Sequence, residues 1–300
     1  SSIGVTLAKQ ITGLYPISRL FMSSYNFPMY YGMGFYIVLS IVVFYLFVKI
    51  ASLKYGLLHT LANTKSSYAN DKVSYERKSV FFALYQKALG RFLSSYMAVL
   101  NAGLGVILLC VFSICFLFNS VGQIGNSAGI ENINEYLSNL APVFIASMLS
   151  LSCPAASSIS LEGKNIWILK SSPVEVKTIL NAKIAVNLTL HLIGYMISVS
   201  VFMLKLDMNP IQVMNLVIVP ICYSLFIMVI GISLNKKYPN YDWDSEMIVV
   251  KQSLPVIVTG IISMITLITP ILLNWFFNLP IIFVLQAVSV ILLAISFRVY

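Results

Sequence analysis

Residues 160–180 read SLEGKNIWILKSSPVEVKTIL and gather Glu162, Lys164, Lys170, Glu175 and Lys177 around Trp167. A large ring among charges of both signs is the composition of a docking hot spot, in which a partner buries the ring and the charges form a polar rim. It is also the composition of a loop anchored at a membrane interface, where Trp is common. A second polar stretch, PNYDWDSEMIVVKQS, carries Asp242, Trp243, Asp244, Glu246 and Lys251. It reads as a brace for the first stretch or for the amphipathic helix around residues 81–92, or as a solvated acidic loop. Bond-making chemistry finds no residues to perform it: the chain contains no G-x-x-x-x-G-K-(S/T), no H-E-x-x-H and no G-x-S-x-G, so neither phosphate cradle nor hydrolase nucleophile is present. His59 and His191 read as structural residues, and Cys110, Cys115, Cys153 and Cys222, which lie in apolar runs without C-x-x-C spacing, read as small hydrophobes. No catalytic, cofactor-binding or metal-ligating residue is expected.

The elements that must position these polar stretches are apolar. Of the 300 residues, 59% are hydrophobic and 10% charged, against roughly 45–50% and ~25% in an average soluble domain, and the mean hydropathy is +0.89. Runs of about 20 apolar residues are long enough to cross ~30 Å of hydrocarbon as helices. The predicted fold is therefore an all-α, polytopic transmembrane bundle with about seven spans, over 29–51, 96–118, 140–159, 183–204, 212–234, 253–274 and 279–298. The net charge of +9 then bears on orientation rather than on nucleic acid. The connections 52–95, 160–182 and 235–252 are basic, whereas 119–139, 205–211 and 275–278 are nearly free of Lys and Arg. Placing the basic set in the cytoplasm puts sixteen of the 19 Lys and Arg residues inside and leaves Lys9, Arg19 and Lys205 outside, with Glu131 and Glu135. This predicts a multi-pass membrane protein with its basic loops in the cytoplasm.

Three domains follow. Residues 1–51 comprise an outer re-entrant or amphipathic segment, broken by Pro16 and Pro28, and one span. Asn26-Phe27-Pro28 opening that span and Asn278-Leu279-Pro280 opening the last form a weak repeat, so 1–51 reads as the tail of a preceding module, and the chain, which opens Ser1-Ser2, as a piece of something longer. Residues 52–95 are a polar linker followed by an amphipathic helix with Phe81, Leu84, Tyr85, Ala88, Leu89 and Phe92 on one stripe and Lys78, Lys87 and Arg91 off it. That helix is expected in the headgroup layer, its aromatics in the acyl boundary and its cations on phosphates; packing of the stripe on a neighbouring element is the alternative. Residues 96–300 form a six-span module. Within its loop 160–182, Ser172-Pro173-Val174-Glu175 has the form of a capping box with Pro at the first helical position, so a helix is expected to start there. NIWILK is expected to make a short helix with Ile166, Trp167 and Leu169 on one side.

This order of elbow helix, two spans and cytoplasmic knob resembles the membrane (permease) subunit of an ABC-2-type ABC transporter. EGKNIWILKSSP is similar to the EG-(R/K)-x-x-W-x-L-x-x-x-P pattern of an ABC exporter permease family of Gram-positive bacteria. GRFLSSYMAVLNAGLG resembles the end of its elbow helix, although Ala88 stands near the place of a frequent acidic residue, and PNYDWDSEMIVVKQS resembles its P-x-(F/Y)-D-W-(D/E)-x-E-x-x-x-V-K-Q-(S/G) loop. The resemblance covers 77–300.

It implies an ATP-driven exporter of an amphiphilic peptide, lipid or antimicrobial that works by alternating access. A separate ABC ATP-binding subunit would carry ATP and Mg, beside a second permease module or a second copy, in contact with membrane lipids and without nucleic acid. By position it makes Glu162, Gly163, Lys164, Asn165, Trp167, Lys170 and Pro173 the coupling-loop contacts to that subunit. Phe81, Tyr85, Lys87, Arg91 and Phe92 become the elbow, and Asp242, Trp243, Asp244, Glu246 and Lys251 the supporting loop. A non-ABC membrane scaffold or channel without nucleotide coupling is the competing reading. No Asp, Glu, Lys or Arg lies near the centre of a span, which argues against an ion-coupled carrier. Asn101, Asn187, Ser198, Ser200, Ser224 and Gln286 read as interhelical hydrogen-bond partners.

Overall fold

Hydrocarbon offers peptide groups no water, so a spanning segment must satisfy them within its own helix, and the described residues are helical with no strand among them. The structure, a computed structural model, describes residues 34, 37–49, 52, 79–122 and 132–300. The hairpin expected over 1–28, the Asn26-Phe27-Pro28 repeat, the linker 62–78 with His59 before it, and Glu131 lie outside them. The chain divides into two units, Ser1–Tyr75 and Glu76–Tyr300. In the first, α1 (Ile37–Lys49) is an apolar helix within the run expected over 29–51.

The second unit opens with α2 (Val80–Ser94), capped by the Ser79 hydroxyl, which accepts from the Phe82 amide. It continues through α3 (Tyr96–Ala102), α4 (Leu104–Phe118), α5 (Ile133–Ser150), α6 (Ile166–Ser171), α7 (Val176–Lys205), α8 (Pro210–Lys237), α9 (Leu254–Phe277) and α10 (Ile281–Val299). Among the described residues, five stretches are long and apolar enough to cross a membrane, six when the bent pair α3–α4 is one span. The chain is a multi-pass, all-α membrane protein.

α8 lies at the centre, packed on α5, α7, α9 and α10. Leu216 joins Leu109 of α4, Ile145 and Leu149 of α5 and Phe202 of α7 in one cluster, and Tyr223 and Phe226 join Leu285 and Val288 of α10 in another. The start of α8 is a reciprocal cap: the Asn209 amide donates to Gln212 Oε1 at 2.9 Å, while the Asn209 side chain accepts from the third residue of the helix.

Two spans depart from the sequence expectation. The first bends by 61° between α3 and α4. The bend leaves the Ala102 carbonyl without a helical partner, and the Ser152 hydroxyl donates to it at 2.6 Å. The next span, expected over 140–159, runs from Ile133 to Ser150. It starts early because Asn134, counted as loop, pairs with the backbone of Asp207 through both its amide groups (2.9 and 3.2 Å). It stops early because Pro154 has no amide hydrogen and biases the residue before it away from the helical region; Cys153 sits at φ −132°, ψ 75°. Beyond it come short 3-10 turns at Pro154–Ala156 and Ser160–Asn165.

Gly105 marks where α4 crosses the end of α5: a Cβ there would lie 2.0 Å from the Met148 carbonyl oxygen and 3.1 Å from the Ser152 nitrogen. Backbone atoms cannot yield as side chains do, so Gly105→Val should cost at least the ~1–3 kcal/mol typical of overpacking. A Cβ at Gly260 meets nothing within 4 Å, and Gly260→Ala should leave stability unchanged or raised. Thermal midpoints of the two variants in detergent check the pair; equal midpoints would refute the crossing.

Candidate functional site

Residues 152–163 form irregular backbone that is almost wholly buried, and buried peptide groups outside a helix need partners from elsewhere. α7 supplies three from positions four apart, hence from one face: Lys183, Asn187 and His191. The Lys183 ammonium donates to the Ser158 carbonyl at 2.8 Å, Asn187 Oδ1 accepts from the Ala155 amide at 3.0 Å, and His191 Nε2 donates to the Ser152 carbonyl at 2.5 Å. Ser224 of α8 donates to His191 Nδ1 at 2.7 Å, which fits that tautomer. Asn235, fully buried near the end of α8, accepts from the amides of Ile159 (2.7 Å) and Ser160 (3.2 Å) and donates to Ser160 Oγ at 2.7 Å. Trp243 Nε1 closes on the Ser160 carbonyl at 2.8 Å, and Arg91 of α2 donates to the Leu161 carbonyl through Nε (3.1 Å) and Nη2 (3.0 Å).

Charges complete the frame. Glu162 is 7% exposed, with one oxygen 2.7 Å from Lys183 Nζ and the other 3.4 Å from Lys87 Nζ. Arg91 pairs with Glu246 at 2.8 Å, and Ser95, the junction of α2 and α3, donates to the other Glu246 oxygen. Elbow helix, irregular segment, α7 and the 239–253 loop are thereby tied to one another. Gly163 is required at the turn: its φ of 55° is a region L side chains rarely adopt, and a Cβ would meet Trp243 Cζ2 at 3.0 Å.

On this frame α6 projects outward. Ile166 and Leu169 pack inward, Ile166 against the buried cluster of Ala155, Ile159 and Ile232, whereas Trp167 is 63% exposed and Ile168 is exposed beside it. This corrects the expectation that Ile166, Trp167 and Leu169 share a side: one helical turn points residue 167 away from 166 and 169. Of the seven contact candidates, Lys164, Asn165, Trp167, Lys170 and Pro173 are exposed. Glu162 and Gly163 are buried and present no outer surface, because two ammonium groups turn the carboxylate inward. Lys164 meets Asp242 at 3.3 Å with both side chains in solvent, a pair that adds little stability. The Lys170 ammonium lies 5.2 Å from the Tyr241 ring centroid.

The capping box is also corrected. α7 starts at Val176, with Glu175 at the cap position; the Ser172 hydroxyl donates back to the Leu169 carbonyl at 2.8 Å, and the Val174 amide bonds the Ser172 carbonyl at 2.8 Å, closing a turn where a helix was expected.

The elbow stripe packs on protein: Tyr85, Ala88, Leu89 and Phe92 join Leu161, Val186 and Val249, and the Tyr85 hydroxyl meets Thr189 Oγ1 at 3.0 Å. Lys87 and Arg91 reach carboxylates rather than phosphates. Phe81 stands apart, 42% exposed. In the 239–253 loop, Trp243 and Glu246 bear on the segment and the elbow, Asp242 meets Lys164, and Asp244 and Lys251 are exposed. Asn187, Ser224 and Gln286 bond across elements, the last to Asn215 at 2.9 Å; among the described residues Asn101 and Ser198 bond within their own helices. The cysteines are free thiols, and no group of His, Cys, Asp and Glu suited to a metal occurs among the described residues. Sequence reasoning missed Asn235 and the joint role of Lys183, Asn187 and His191, although a polar residue every fourth position in an apolar helix was a readable signal.

Residues 106–294 match the family model described as "Putative ATP-binding cassette", more than half of the chain. Neither a curated protein nor a solved structure matches.

Removing one member of a buried ion pair strands the other, at about 3–5 kcal/mol, whereas replacing both by apolar groups is often neutral. Glu162→Met and Lys183→Met should each lower the thermal midpoint markedly, and the double variant should recover most of the loss. Single variants as stable as the parent would show that the pair does not hold the segment.

Proposed function

The chain belongs to this ATP-binding cassette family, and we propose that within it the chain is the permease subunit of an ABC-2-type exporter. The observation that carries the proposal is the exposed group Lys164, Asn165, Trp167, Lys170 and Pro173, mounted between two spans on a segment tied to α7 and α2 by buried bonds. A knob that passes force from an ATP-binding subunit to the spans needs an exposed anchor and a stiff root. Trp167 among cations supplies the first, and the bonds from Lys183, Asn187, Asn235, Trp243 and Arg91 supply the second. Nucleotide would bind the partner subunit, with Mg, since the P-loop pattern is missing from this sequence. The basic loops would face the cytoplasm by the sixteen-to-three distribution of Lys and Arg, in the plasma membrane of a Gram-positive bacterium. A second permease module or a second copy would complete the transporter, and an amphiphilic cargo suits its apolar spans. Family membership weighs against a scaffold or channel unrelated to ATP-binding cassettes.

Co-expression with an ATP-binding subunit drawn from the neighbouring genes tests the reading. Trp167→Ala with Lys170→Glu should lower recovery of that subunit by about tenfold or more, as loss of a hot spot does, and should lower ATP turnover of the membrane complex, while the thermal midpoint of the permease stays at the parent value. Undiminished association and turnover would overturn the coupling role.

A further inference from the structure

A cavity of about 370 Å³ opens between α2, α7, α8 and α10. Its walls are almost wholly apolar, formed by Phe81, Ile184, Leu188, Leu225, Leu293 and Phe297. It runs alongside α7 from Asn181 to Leu188, seven residues or about 10 Å, and so reaches inward from the end of the bundle where the basic residues lie. Polar groups gather only at that end. The Tyr300 hydroxyl donates to Asn181 Oδ1, a bond that uses the amide oxygen of Asn181 and neither of its two N–H donors. Lys177 lies one turn before Asn181 on the same face of α7 and is exposed. Glu175, the nearby carboxylate, is two residues off that face. Phe81 is the elbow aromatic that does not join the protein-packed stripe; it faces this cavity instead.

We propose that this cavity binds one hydrocarbon chain of an anionic amphiphile taken from the leaflet at the basic end, with the acid group held at the rim by Lys177 and Asn181. Charge complementarity selects this occupant: an apolar slot with the Asn181 donors at its rim and the exposed Lys177 ammonium one helical turn beyond matches a molecule that is apolar along its length and negative at its head. A neutral lipid would gain nothing from Lys177, and a cationic one would be repelled.

The test uses the full chain in phosphatidylcholine nanodiscs without nucleotide, so that its result is independent of the exporter reading. The probe is palmitate carrying a mid-chain diazirine, photolysed and mapped by mass spectrometry. Adducts should concentrate on peptides holding Phe81, Leu188, Leu225 or Leu293, and excess stearate should compete with them where stearylamine does not. Lys177→Glu should weaken labelling by about tenfold, and Leu225→Trp, which fills the slot, should abolish it while the thermal midpoint holds. Adducts spread evenly along lipid-facing α9, or unchanged by Leu225→Trp, would overturn the site. Equal competition by stearylamine would overturn its preference for anions. Cysteine crosslinks from Leu188→Cys to residues 1–75 or to a second copy, in place of lipid adducts, would show a protein segment as the occupant and overturn the proposal.

Discussion

A helix that breaks inside the bundle must find hydrogen-bond partners for every peptide group it exposes, and the stretch 152–163 is such a break. An unmade bond to a buried peptide group costs about 1–3 kcal/mol, and at least six backbone groups in this stretch receive bonds from side chains. The need for those bonds accounts for the most deeply buried polar residues that α7 and α8 turn toward the segment. Asn187 and His191 on α7 and Ser224 and Asn235 on α8 lie where they do because the segment passes between those two helices. Asn187, His191 and Asn235 bond the backbone of the segment directly, and Ser224 acts through His191.

The same break explains the placement of charge. Ending the α-helix at Ser150 and turning at Gly163 brings Glu162 beneath the surface, where a lone carboxylate would be untenable and where Lys183 and Lys87 flank it. Burial of such a pair is no evidence of net stability. Its effect is geometric, because a carboxylate shared by α7 and α2 fixes the rotation of each about the knob. Arg91 extends the arrangement by bonding the Leu161 carbonyl and Glu246 together, so the elbow and the 239–253 loop hold opposite sides of one root.

How much of this was legible in the sequence depends on whether the deciding contact is local. Helix class and the short helix around Trp167 follow from hydropathy and periodicity, which are local, whereas against about seven expected spans the described residues hold five, or six with the bent pair. The bend at Gly103 was hidden because it interrupts an apolar run without interrupting its hydropathy. Glu162 was read as exposed because a charge in a loop ordinarily is, and only the long-range approach of Lys183, 21 residues on, reverses that. Ser172 has the right neighbours for a helix cap, yet its hydroxyl found the Leu169 carbonyl first. The spacing of Lys183, Asn187 and His191 was visible; what it faced was not, because an apolar run had been assumed to stay helical through Pro154.

The bonding pattern also constrains how a displacement of the knob would travel. α7 and α8 are tied to its root by side-chain bonds from Lys183, Asn187, His191 and Asn235, and would move with it. α9 presents Ile257, Ile261, Met264, Ile265 and Ile268 outward, and its most apolar stretch is only 17% buried. It meets the rest of the bundle with few polar ties, chiefly the Tyr223 hydroxyl donated to the Thr266 carbonyl at 3.0 Å. Between apolar helices in lipid there is no hydrophobic penalty for separation, since hydrocarbon replaces protein at the exposed face. Relative motion is therefore cheapest between α9 and the α7–α8 pair, and the polar ties that satisfy the broken segment also decide which helices move as one body.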